Sequence, residues 1–441
     1  MRYDFKNKRV TVVGLARSGM AAALLLKKKG AEVYATDCGD SAGLRKNVGS
    51  LRKKGIRVET GVHTRGYVKG KDLLVISPGI PENSPVLKWA VEERVPVIGE
   101  IELGCLFCKA PIVAVTGTNG KSTTATLIGR ILRKAGKHTV VCGNIGNPFC
   151  GEISKVRKDS VVVLEVSSFQ LESIRKFRPY VAVALNISQN HFDRHPDLKS
   201  YIKAKSRIFE NQKASDWAVL NYDDPLVRGL KTKTKAKTVF FSRNKGIPKL
   251  VCRREELKIK GGHNIENALA SLCVASIFGV KPRAAREALT EFEGLEHRFE
   301  HVTEIGGVEF INDSKGTTVL ATIMALESCE RPVILIAGGH DKGSDFRKAA
   351  PAVASKVKKL VLIGEAKDKI RKHLKGASGA IEASSMEDAV KKAYSEADPG
   401  DCVLLSPMCA SFDMFKNFEE RGKAFKKAVL KISNIKNQIS K

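Results

Sequence analysis

Apolar, β-branched runs alternate with segments of helical period along nearly the whole chain. Segments with helical periodicity lie at residues 18–29, 121–134, 264–278 and 386–396, among others. The runs that predict strands lie at residues 9–13, 32–36, 73–77, 112–116, 161–166, 181–186, 333–337, 360–363 and 402–405. Strands that alternate with helices are typical of parallel sheets, so the sequence predicts an α/β fold.

The length of the chain indicates several domains. At 441 residues it is too long for one core of ordinary size. We predict three domains: a Rossmann-like block at 1–98, a central block with a parallel sheet at 99–296, and a second Rossmann-like block at 297–441.

The chain carries 76 Lys and Arg against 47 Asp and Glu, a net charge of +29. A surplus of this size suits a nucleic-acid-binding protein. The cations are spread, however, over segments such as 27–29, 52–54 and the tail from Lys423, with few aromatic residues between them. A lysine-rich solvated surface, which also attracts anionic substrates, is the favoured interpretation.

Neither the start of the chain nor its apolar stretches predict export or a membrane anchor. The longest mostly apolar stretch, at 272–280, is far shorter than the roughly 20 residues of a membrane span. Ten cysteines are scattered, and the pair Cys105 and Cys108 lacks the second pair of a structural zinc site. Buried packing is favoured for that pair over a metal or redox role. We therefore expect a cytoplasmic protein with reduced thiols.

The strongest local signal is a phosphate-binding loop. Residues 112–124 read IVAVTGTNGKSTT, an apolar strand that enters a glycine-rich loop and then a helix. Glycines let backbone N–H groups approach phosphates, Lys121 can reach the β and γ oxygens, and the Ser122 hydroxyl can hold Mg²⁺. Val115 stands where the usual motif has its first glycine, and a plain strand-to-helix turn is the competing interpretation.

Two downstream segments supply candidate metal ligands. Glu165 lies at the end of a buried strand, where a second Mg²⁺ ligand is needed, although a lone carboxylate there is often a cap or a surface residue. His191 follows another strand beside Asp193 and Arg194, which can also simply pair with each other. Residues 201–209 predict an amphipathic helix that carries cations.

The segment at 13–19, VGLARSG, imitates a dinucleotide-binding fingerprint. Asp37 follows eighteen residues after Gly19, at the end of a predicted strand. Ala16 replaces the middle glycine and crowds the approach of a pyrophosphate. The segment therefore indicates a nucleotide-diphosphate site in general rather than an NAD site.

These motifs, with others downstream, resemble the Mur ligase family over nearly the whole chain. The segments that carry the resemblance are TGTNGKST at 116–123, LEVSSFQL at 164–171, NHFDR at 190–194, HNIENALA at 263–270, HRF at 297–299, NDSKGT at 312–317 and SPMCASFDMFKNFEERG at 406–422. The resemblance implies a UDP-binding domain, a central ATPase domain and a Rossmann-like C-terminal domain. It also implies an ATP-dependent ligase of peptidoglycan synthesis that activates a carboxylate as an acyl phosphate and adds D-glutamate to a UDP-muramoyl-L-alanine precursor.

The resemblance further implies roles for individual residues. Contacts to uridine and diphosphate fall on Gly14, Leu15, Ala16, Arg17, Ser18, Asp37, Ser77 and Gly79, and contact to the sugar-peptide falls on Asn144. Contacts to ATP fall on Gly117, Thr118, Asn119, Gly120, Lys121, Ser122, Thr123, Asn264, Asn267, Arg298, Asp313 and Lys315. The resemblance assigns Mg²⁺ binding to Ser122, Glu165, His191 and a carbamylated Lys205. It assigns catalysis to Lys121, Glu165, His191 and Lys205. D-Glutamate falls to Thr317, Lys342, Ser411 and Phe418.

Other functions stay open at this point. Further ligases of the family add L-alanine, a diamino acid, a dipeptide, or glutamates to folate. The N-terminal nucleotide domain argues against the folate branch, and the lack of an Asp-Asn-Pro-Arg run in the C-terminal third argues against the diamino-acid branch. A nucleic-acid-binding ATPase is favoured by net charge alone. We expect a monomer with no nucleic-acid or membrane partner.

Overall fold

The computed structural model describes residues 4–39, 41–188, 197–374 and 379–439. The chain divides into two compact units, residues 1–254 with 266–290 and residues 255–265 with 291–441. The described residues form three sheets, two in the first unit and one in the second. The predicted α/β fold with a Rossmann-like sheet at each end of the chain is confirmed, whereas the domain boundaries at 98 and 296 stay predictions.

The first sheet is fully parallel, with the order β3-β2-β1-β4-β5. Its strands are β1 Arg9–Val13, β2 Glu32–Asp37, β3 Arg57–Thr60, β4 Leu73–Ile76 and β5 Val97–Gly99. The helices of this part are α1 Arg17–Lys28, α2 Ala42–Arg52, α3 Pro85–Glu92 and α4 Glu100–Phe107. The strand order reverses between β1 and β4, and this is the point at which open α/β sheets bind ligands.

The second sheet is also fully parallel, with the order β11-β10-β9-β6-β8-β7. Its strands are β6 Ile112–Thr116, β7 Thr139–Gly143, β8 Val161–Glu165, β9 Val181–Ala184, β10 Trp217–Asn221 and β11 Lys237–Phe241. The helices are α5 Lys121–Lys134, α6 Phe149–Glu152, α7 Ser168–Glu172, α8 Leu198–Ser206, α9 Pro225–Gly229, α10 Gly262–Ile277 and α11 Pro282–Thr290. Every residue of β6, β8 and β9 is buried, as expected for central strands covered on both faces.

The first two sheets share one apolar core within the first unit. Helices α1 and α4 both pack against α6. The fit is close, because a Cβ at Gly104 would lie 2.5 Å from the ring of Phe149. The buried Glu102 on α4 also accepts backbone N–H groups from Arg175, Lys176 and Phe177 at 2.8–2.9 Å. Apolar packing and hydrogen bonds therefore hold the first sheet against the second.

The third sheet has the order β12-β13-β17-β14-β15-β16, with β12 antiparallel to β13 and all other pairs parallel. Its strands are β12 Glu300–Ile305, β13 Val308–Asn312, β14 Val333–Gly338, β15 Val357–Ile363, β16 Ala380–Glu382 and β17 Cys402–Leu405. Its helices are α12 Val319–Ser328, α13 Ala350–Lys356, α14 Lys367–His373, α15 Met386–Ser395 and α16 Phe418–Ile439. Because β13, β17 and β14 are parallel neighbours, the loops at their carboxyl ends meet at one edge of the sheet.

None of the helices in the described ranges is both long and apolar enough to cross a membrane.

Candidate functional site

The phosphate-binding loop joins β6 to α5. Gly120, the residue before α5, has φ +79°, a left-handed conformation that favours glycine. A Cβ there would lie 2.3 Å from Oδ1 of Asn267 on α10, which also accepts the hydroxyl of Thr124 at 3.0 Å. Glycine is therefore required for both backbone conformation and space, and Asn267 packs directly against the loop.

Two lysines converge on this loop. Lys121 Nζ donates to the carbonyls of Gly117 at 2.9 Å and Thr118 at 2.8 Å. Lys205 Nζ, on α8, donates to the same Gly117 carbonyl at 2.8 Å, and Lys205 is only 2% exposed. Burial first, and the charge of Lys121 second, hold the pKa of Lys205 well below its usual value. The site thus places two lysines beside the phosphate loop, and the buried one has a lowered pKa.

Glu165 ends β8 and is buried next to the start of α5. Its Oε2 accepts the Ser122 hydroxyl at 2.6 Å, and its Oε1 accepts Nδ2 of Asn144 at 2.7 Å. A carboxylate and a hydroxyl are hard oxygen donors, which fit Mg²⁺ when substrate phosphates and water supply its remaining ligands. Across the described ranges, no group of three or more His, Cys, Asp or Glu residues is arranged to hold a metal ion. His191, the remaining predicted ligand, lies at 189–196, outside the described residues.

Tyr201 is a residue of this site that the sequence interpretation missed. It lies one helical turn before Lys205 on α8, and its ring centroid is 4.6 Å from Lys205 Nζ. Its hydroxyl is 3.4 Å from the Thr118 hydroxyl. The i, i+4 spacing from a candidate lysine was the available signal. Lys203, between them in sequence, is exposed instead.

Asn119 and Thr118 of the loop are also anchored to the segment after β9. The backbone N–H of Asn119 donates to Oδ1 of Asn186 at 2.8 Å, and that of Thr118 donates to the Asn186 carbonyl at 2.9 Å. Asn186 is a second residue that the sequence interpretation did not assign. It fixes the shape of the predicted phosphate-binding loop.

A cleft of about 950 Å³ opens beside these groups in the first unit. It is lined by the turn after β4, by Asn144, and by one face of α8, with Gly79, Phe169, Lys203 and Arg207 among its residues. Two predicted substrate contacts, Gly79 and Asn144, thus border the same space. The exposed Lys203 faces this cleft rather than the phosphate loop.

The first sheet brings the predicted nucleotide-diphosphate residues together. The backbone N–H of Leu15 donates to Oδ2 of Asp37 at 2.6 Å, and the Ser77 hydroxyl donates to the Gly14 carbonyl at 2.8 Å. Gly14 has φ +83°, and a Cβ there would be 3.0 Å from Cβ of Ser77. The ends of β1, β2 and β4 are therefore joined. Ala16 and Ser18 flank Arg17, the first residue of α1, and Arg17 donates to the Gly146 carbonyl.

Four predicted ATP contacts lie in the second unit: Asn264, Arg298, Asp313 and Lys315. Oδ1 of Asp313 accepts the backbone N–H of Phe299 at 3.2 Å, its Oδ2 accepts the Ser406 hydroxyl at 2.8 Å, and burial raises its pKa to about 7. Lys315 Nζ lies 4.9 Å from the ring centroid of Phe418, which begins α16. Arg298 lies beside Phe299 in sequence, and Asn264 donates to the Lys260 carbonyl at 2.7 Å. Thr123 and Asn267 belong to the first unit, and Asn264 belongs to the second.

Three of the four predicted amino-acid contacts lie on loops at one edge of the third sheet, and the fourth, Phe418, begins α16. Thr317 follows β13, Lys342 follows β14, and Ser411 follows β17. The loops are joined by backbone hydrogen bonds, from Met408 N–H to the Gly316 carbonyl at 3.0 Å and between His340 and Ala410 in both directions at 2.9 and 3.0 Å. Lys342 is exposed, with Nζ 5.5 Å from the ring centroid of Phe412.

Three family models match the chain in order. They are the Mur ligase MurD-like, N-terminal domain at residues 8–99, the Mur ligase middle domain at 115–275, and the Mur ligase, glutamate ligase domain at 297–409.

Curated relatives match over nearly their full length. The UDP-N-acetylmuramoylalanine--D-glutamate ligase of Pelotomaculum thermopropionicum is 44% identical, over 98% of this chain and 99% of the relative. The ligase of the same name from Caldanaerobacter subterraneus subsp. tengcongensis is also 44% identical, over 97% and 99%.

Solved structures share the fold at low identity. A pseudomurein peptide ligase type C from Methanothermus fervidus aligns with a TM-score of 0.60 at 22% identity, over 97% of this chain and 100% of that one. The UDP-N-acetylmuramate-alanine ligase of Thermotoga maritima aligns with a TM-score of 0.60 at 21% identity, over 98% and 100%.

Proposed function

Because this chain belongs to the Mur ligase family, whose members are ATP-dependent amide-forming enzymes, we propose that it joins D-glutamate to UDP-N-acetylmuramoyl-L-alanine. The observation that carries this proposal is the identity of 44% to D-glutamate-adding ligases along 98% of the chain. That match includes the C-terminal unit, where the candidate amino-acid contacts lie.

The first chemical step activates the precursor's terminal carboxylate. A carboxylate anion has no good leaving group, so it does not react with an amine at neutral pH. One carboxylate oxygen attacks the γ-phosphorus of ATP, the bond to the β–γ bridging oxygen breaks, and ADP leaves. The loop N–H groups and the N-terminus of α5 bind the phosphates, and Lys121 turns from the carbonyls of Gly117 and Thr118 to the phosphate oxygens.

Ser122 and Glu165 are the residues that would hold Mg²⁺, with Lys205 as a third ligand if its amine carries a carbamate. When bound, the ion neutralises negative charge on the phosphate oxygens. Within the protein, the same carboxylate orients Asn144, which borders the cleft. Glu165 therefore connects the predicted metal site to the predicted sugar-peptide contact.

The second step forms the amide. The amine of D-glutamate attacks the acyl carbon, the tetrahedral intermediate releases phosphate, and the nitrogen loses a proton. Cations near the phosphate loop stabilise the negative charge of that intermediate. Lys342 is the candidate cation for one carboxylate of D-glutamate, and the hydroxyls of Thr317 and Ser411 are candidate donors to the other.

A panel assay tests this function. Purified protein with ATP and Mg²⁺ is supplied with UDP-N-acetylmuramoyl-L-alanine or UDP-N-acetylmuramate, each with D-glutamate, L-glutamate, L-alanine or meso-diaminopimelate, and ADP release is measured. We expect sustained release only with UDP-N-acetylmuramoyl-L-alanine and D-glutamate, unchanged by added RNA or DNA.

Product formed with a different amino acid, but not with D-glutamate, would refute D-glutamate as the substrate. The proposed ligase chemistry would still stand. ADP release driven by nucleic acid alone would favour the ATPase alternative. Hydroxylamine in place of the amino acid should give a hydroxamate of the precursor, since it captures an acyl phosphate. The lack of hydroxamate with the active substrate pair would argue against that intermediate.

A further inference from the structure

Arg421, in the first turn of α16, is a buried cation that bonds only to neutral oxygens among its described neighbours. It is 2% exposed. Nε donates to the Ser314 hydroxyl at 3.1 Å, Nη1 to the Ala410 carbonyl at 3.1 Å, and Nη2 to the carbonyls of Ser314 at 2.8 Å and Cys409 at 3.1 Å. The guanidinium therefore joins the loop after β13 to the loop after β17.

Arg421 also lies close to the third loop of this edge. A Cβ at Gly339, in the loop after β14, would lie 3.1 Å from Arg421 Nη1. The strands β13, β17 and β14 are parallel neighbours, so one side chain beneath their carboxyl ends reaches all three loops. These are the loops that carry the candidate amino-acid contacts.

The charge of Arg421 has no carboxylate bonded to it in the described part of the chain. The carboxylates of Asp313 and Asp413 act on it from a longer distance. Asp313 accepts the Ser406 hydroxyl, and its raised pKa of about 7 leaves it only partly ionised at neutral pH. Asp413 accepts the backbone N–H of Glu365 at 3.0 Å. Burial lowers the pKa of Arg421 to about 10, so the guanidinium stays cationic at neutral pH.

A buried cation without a bonded counter-ion destabilises the folded state, because the charge loses its hydration on folding. An apolar side chain of similar volume does not have this cost. The same charge favours the binding of an anion at the surface directly above it. The amino acid of the proposed reaction is a dicarboxylate, and a neutral isostere such as D-glutamine differs from it mainly in charge.

We propose that Arg421 is a positioning residue for the amino-acid substrate: it bonds the loops after β13 and β17, lies close to the loop after β14, and favours a second carboxylate through a charge to which no described carboxylate is bonded. The inference rests on the proposed function. It assigns Arg421 no contact with the substrate.

Three variants test it with saturating ATP and UDP-N-acetylmuramoyl-L-alanine. Arg421→Met removes the charge, Arg421→Lys keeps the charge and loses the planar fork, and Arg331→Met is the matched control. Arg331 is partly buried before β14, at the opposite edge of the same sheet, where it bonds Glu304 and the Gly307 carbonyl. The readouts are KM for D-glutamate and the inhibition constant of D-glutamine, whose ratio measures the preference for charge.

We expect Arg421→Met to reduce the preference for D-glutamate over D-glutamine by about tenfold or more, mainly through a higher KM for D-glutamate. Arg421→Lys should retain the preference even though binding of both compounds weakens, and Arg331→Met should change neither constant. If Arg421→Met weakens both compounds equally, the residue acts only on loop structure and the inference is wrong.

If Arg421→Met does not fold, Arg421→Lys decides alone, and loss of the preference in that variant overturns the inference. The proposed function fails separately, when the unmodified protein makes no product from D-glutamate. A protein that uses D-glutamate but keeps its preference in Arg421→Met refutes only the role of Arg421.

Discussion

Replacing Lys205 by methionine is expected to stabilise the first unit and to abolish catalysis. Lys205 is a buried cation whose only described hydrogen bond is to the Gly117 carbonyl. Methionine has a similar length and no charge, so the change leaves little empty space. The Gly117 carbonyl keeps a donor in the variant, because Lys121 also bonds to it.

The size of the stabilisation follows from these contacts. Replacing buried charges by apolar groups of similar volume is often stabilising, by about 1–4 kcal/mol. The change also removes the repulsion from Lys121 that contributes to the lowered pKa of Lys205. Against this stand one lost hydrogen bond, the cation–π contact with Tyr201 and the attraction between Lys205 and the Glu165 carboxylate. We expect a net gain of about 1–3 kcal/mol, which raises Tm by roughly 2–12 °C for a unit of this size.

The lowered pKa of Lys205 fixes the direction in which the stability of the wild-type protein changes with pH. Since the pKa of Lys205 is lower in the folded protein than in the unfolded chain, the unfolded chain binds more protons between those two values. The wild-type protein therefore gains stability as pH rises from the lowered pKa towards the ordinary lysine pKa of 10.5. The advantage of Lys205→Met should be largest below the lowered pKa of Lys205 and should shrink as pH rises towards 10.5.

Thermal unfolding and ADP release measure the two effects. Both proteins are compared in CO₂-free buffer, with Lys203→Met as the control because Lys203 is an exposed lysine of the same helix. Lys203→Met should leave Tm nearly unchanged. A Tm of Lys205→Met below that of the wild type would refute the argument that the buried charge of Lys205 is destabilising, and full activity would exclude Lys205 from the catalytic set.

Three further perturbations address the roles proposed above. Lys205→Ala should be largely inactive and partly restored by a small carboxylate such as formate, because a carboxylate can take the place of a carbamate; failure of every such acid to restore ADP release would argue against carbamylation. Lys121→Ala should abolish turnover while the Kd of the UDP-precursor, measured by calorimetry, stays nearly unchanged, since the precursor's nucleotide is assigned to the first sheet; equal loss of both would contradict that division. Lys342→Ala should raise KM for D-glutamate by an amount that corresponds to about 2–5 kcal/mol, with little change for the UDP-precursor in steady-state kinetics; an unchanged KM for D-glutamate would exclude Lys342 from the acceptor site.

The strands that the sequence predicts are mostly the central ones of each sheet. A strand covered on both faces reads as a continuous apolar run, and β6 and β8 are fully buried. The sequence does not predict eight of the strands, and six of these eight are the edge strands of the sheets: β3, β5, β7, β11, β12 and β16. An edge strand contacts solvent and can carry polar residues, as in β3, where no residue is fully buried. The remaining two, β10 and β13, were missed although most of their residues are buried.

The phosphate loop could be predicted because all of its signals lie in one short segment. Its supports could not, because they come from elements that are distant in sequence. Asn186 follows β9, which pairs with β6 in the sheet, and Tyr201 lies on α8. Neither residue type is distinctive alone, and only the strand order brings Asn186 to the loop. Arg421 belongs to a motif that the sequence interpretation singled out, but its burial and its neutral partners depend on the packing of three loops.

The sequence also does not show which of the predicted residues contact one another. The sequence interpretation assigned Glu165 to the metal and Asn144 to the sugar-peptide by separate arguments. In the structure, Ser122 and Asn144 donate to the two oxygens of the Glu165 carboxylate, at 2.6 and 2.7 Å. A metal ion that binds one oxygen withdraws charge from the other and so weakens the bond to Asn144. We therefore expect the orientation of Asn144 in the cleft to change when the proposed metal site is filled, which would couple nucleotide binding to precursor binding within one unit.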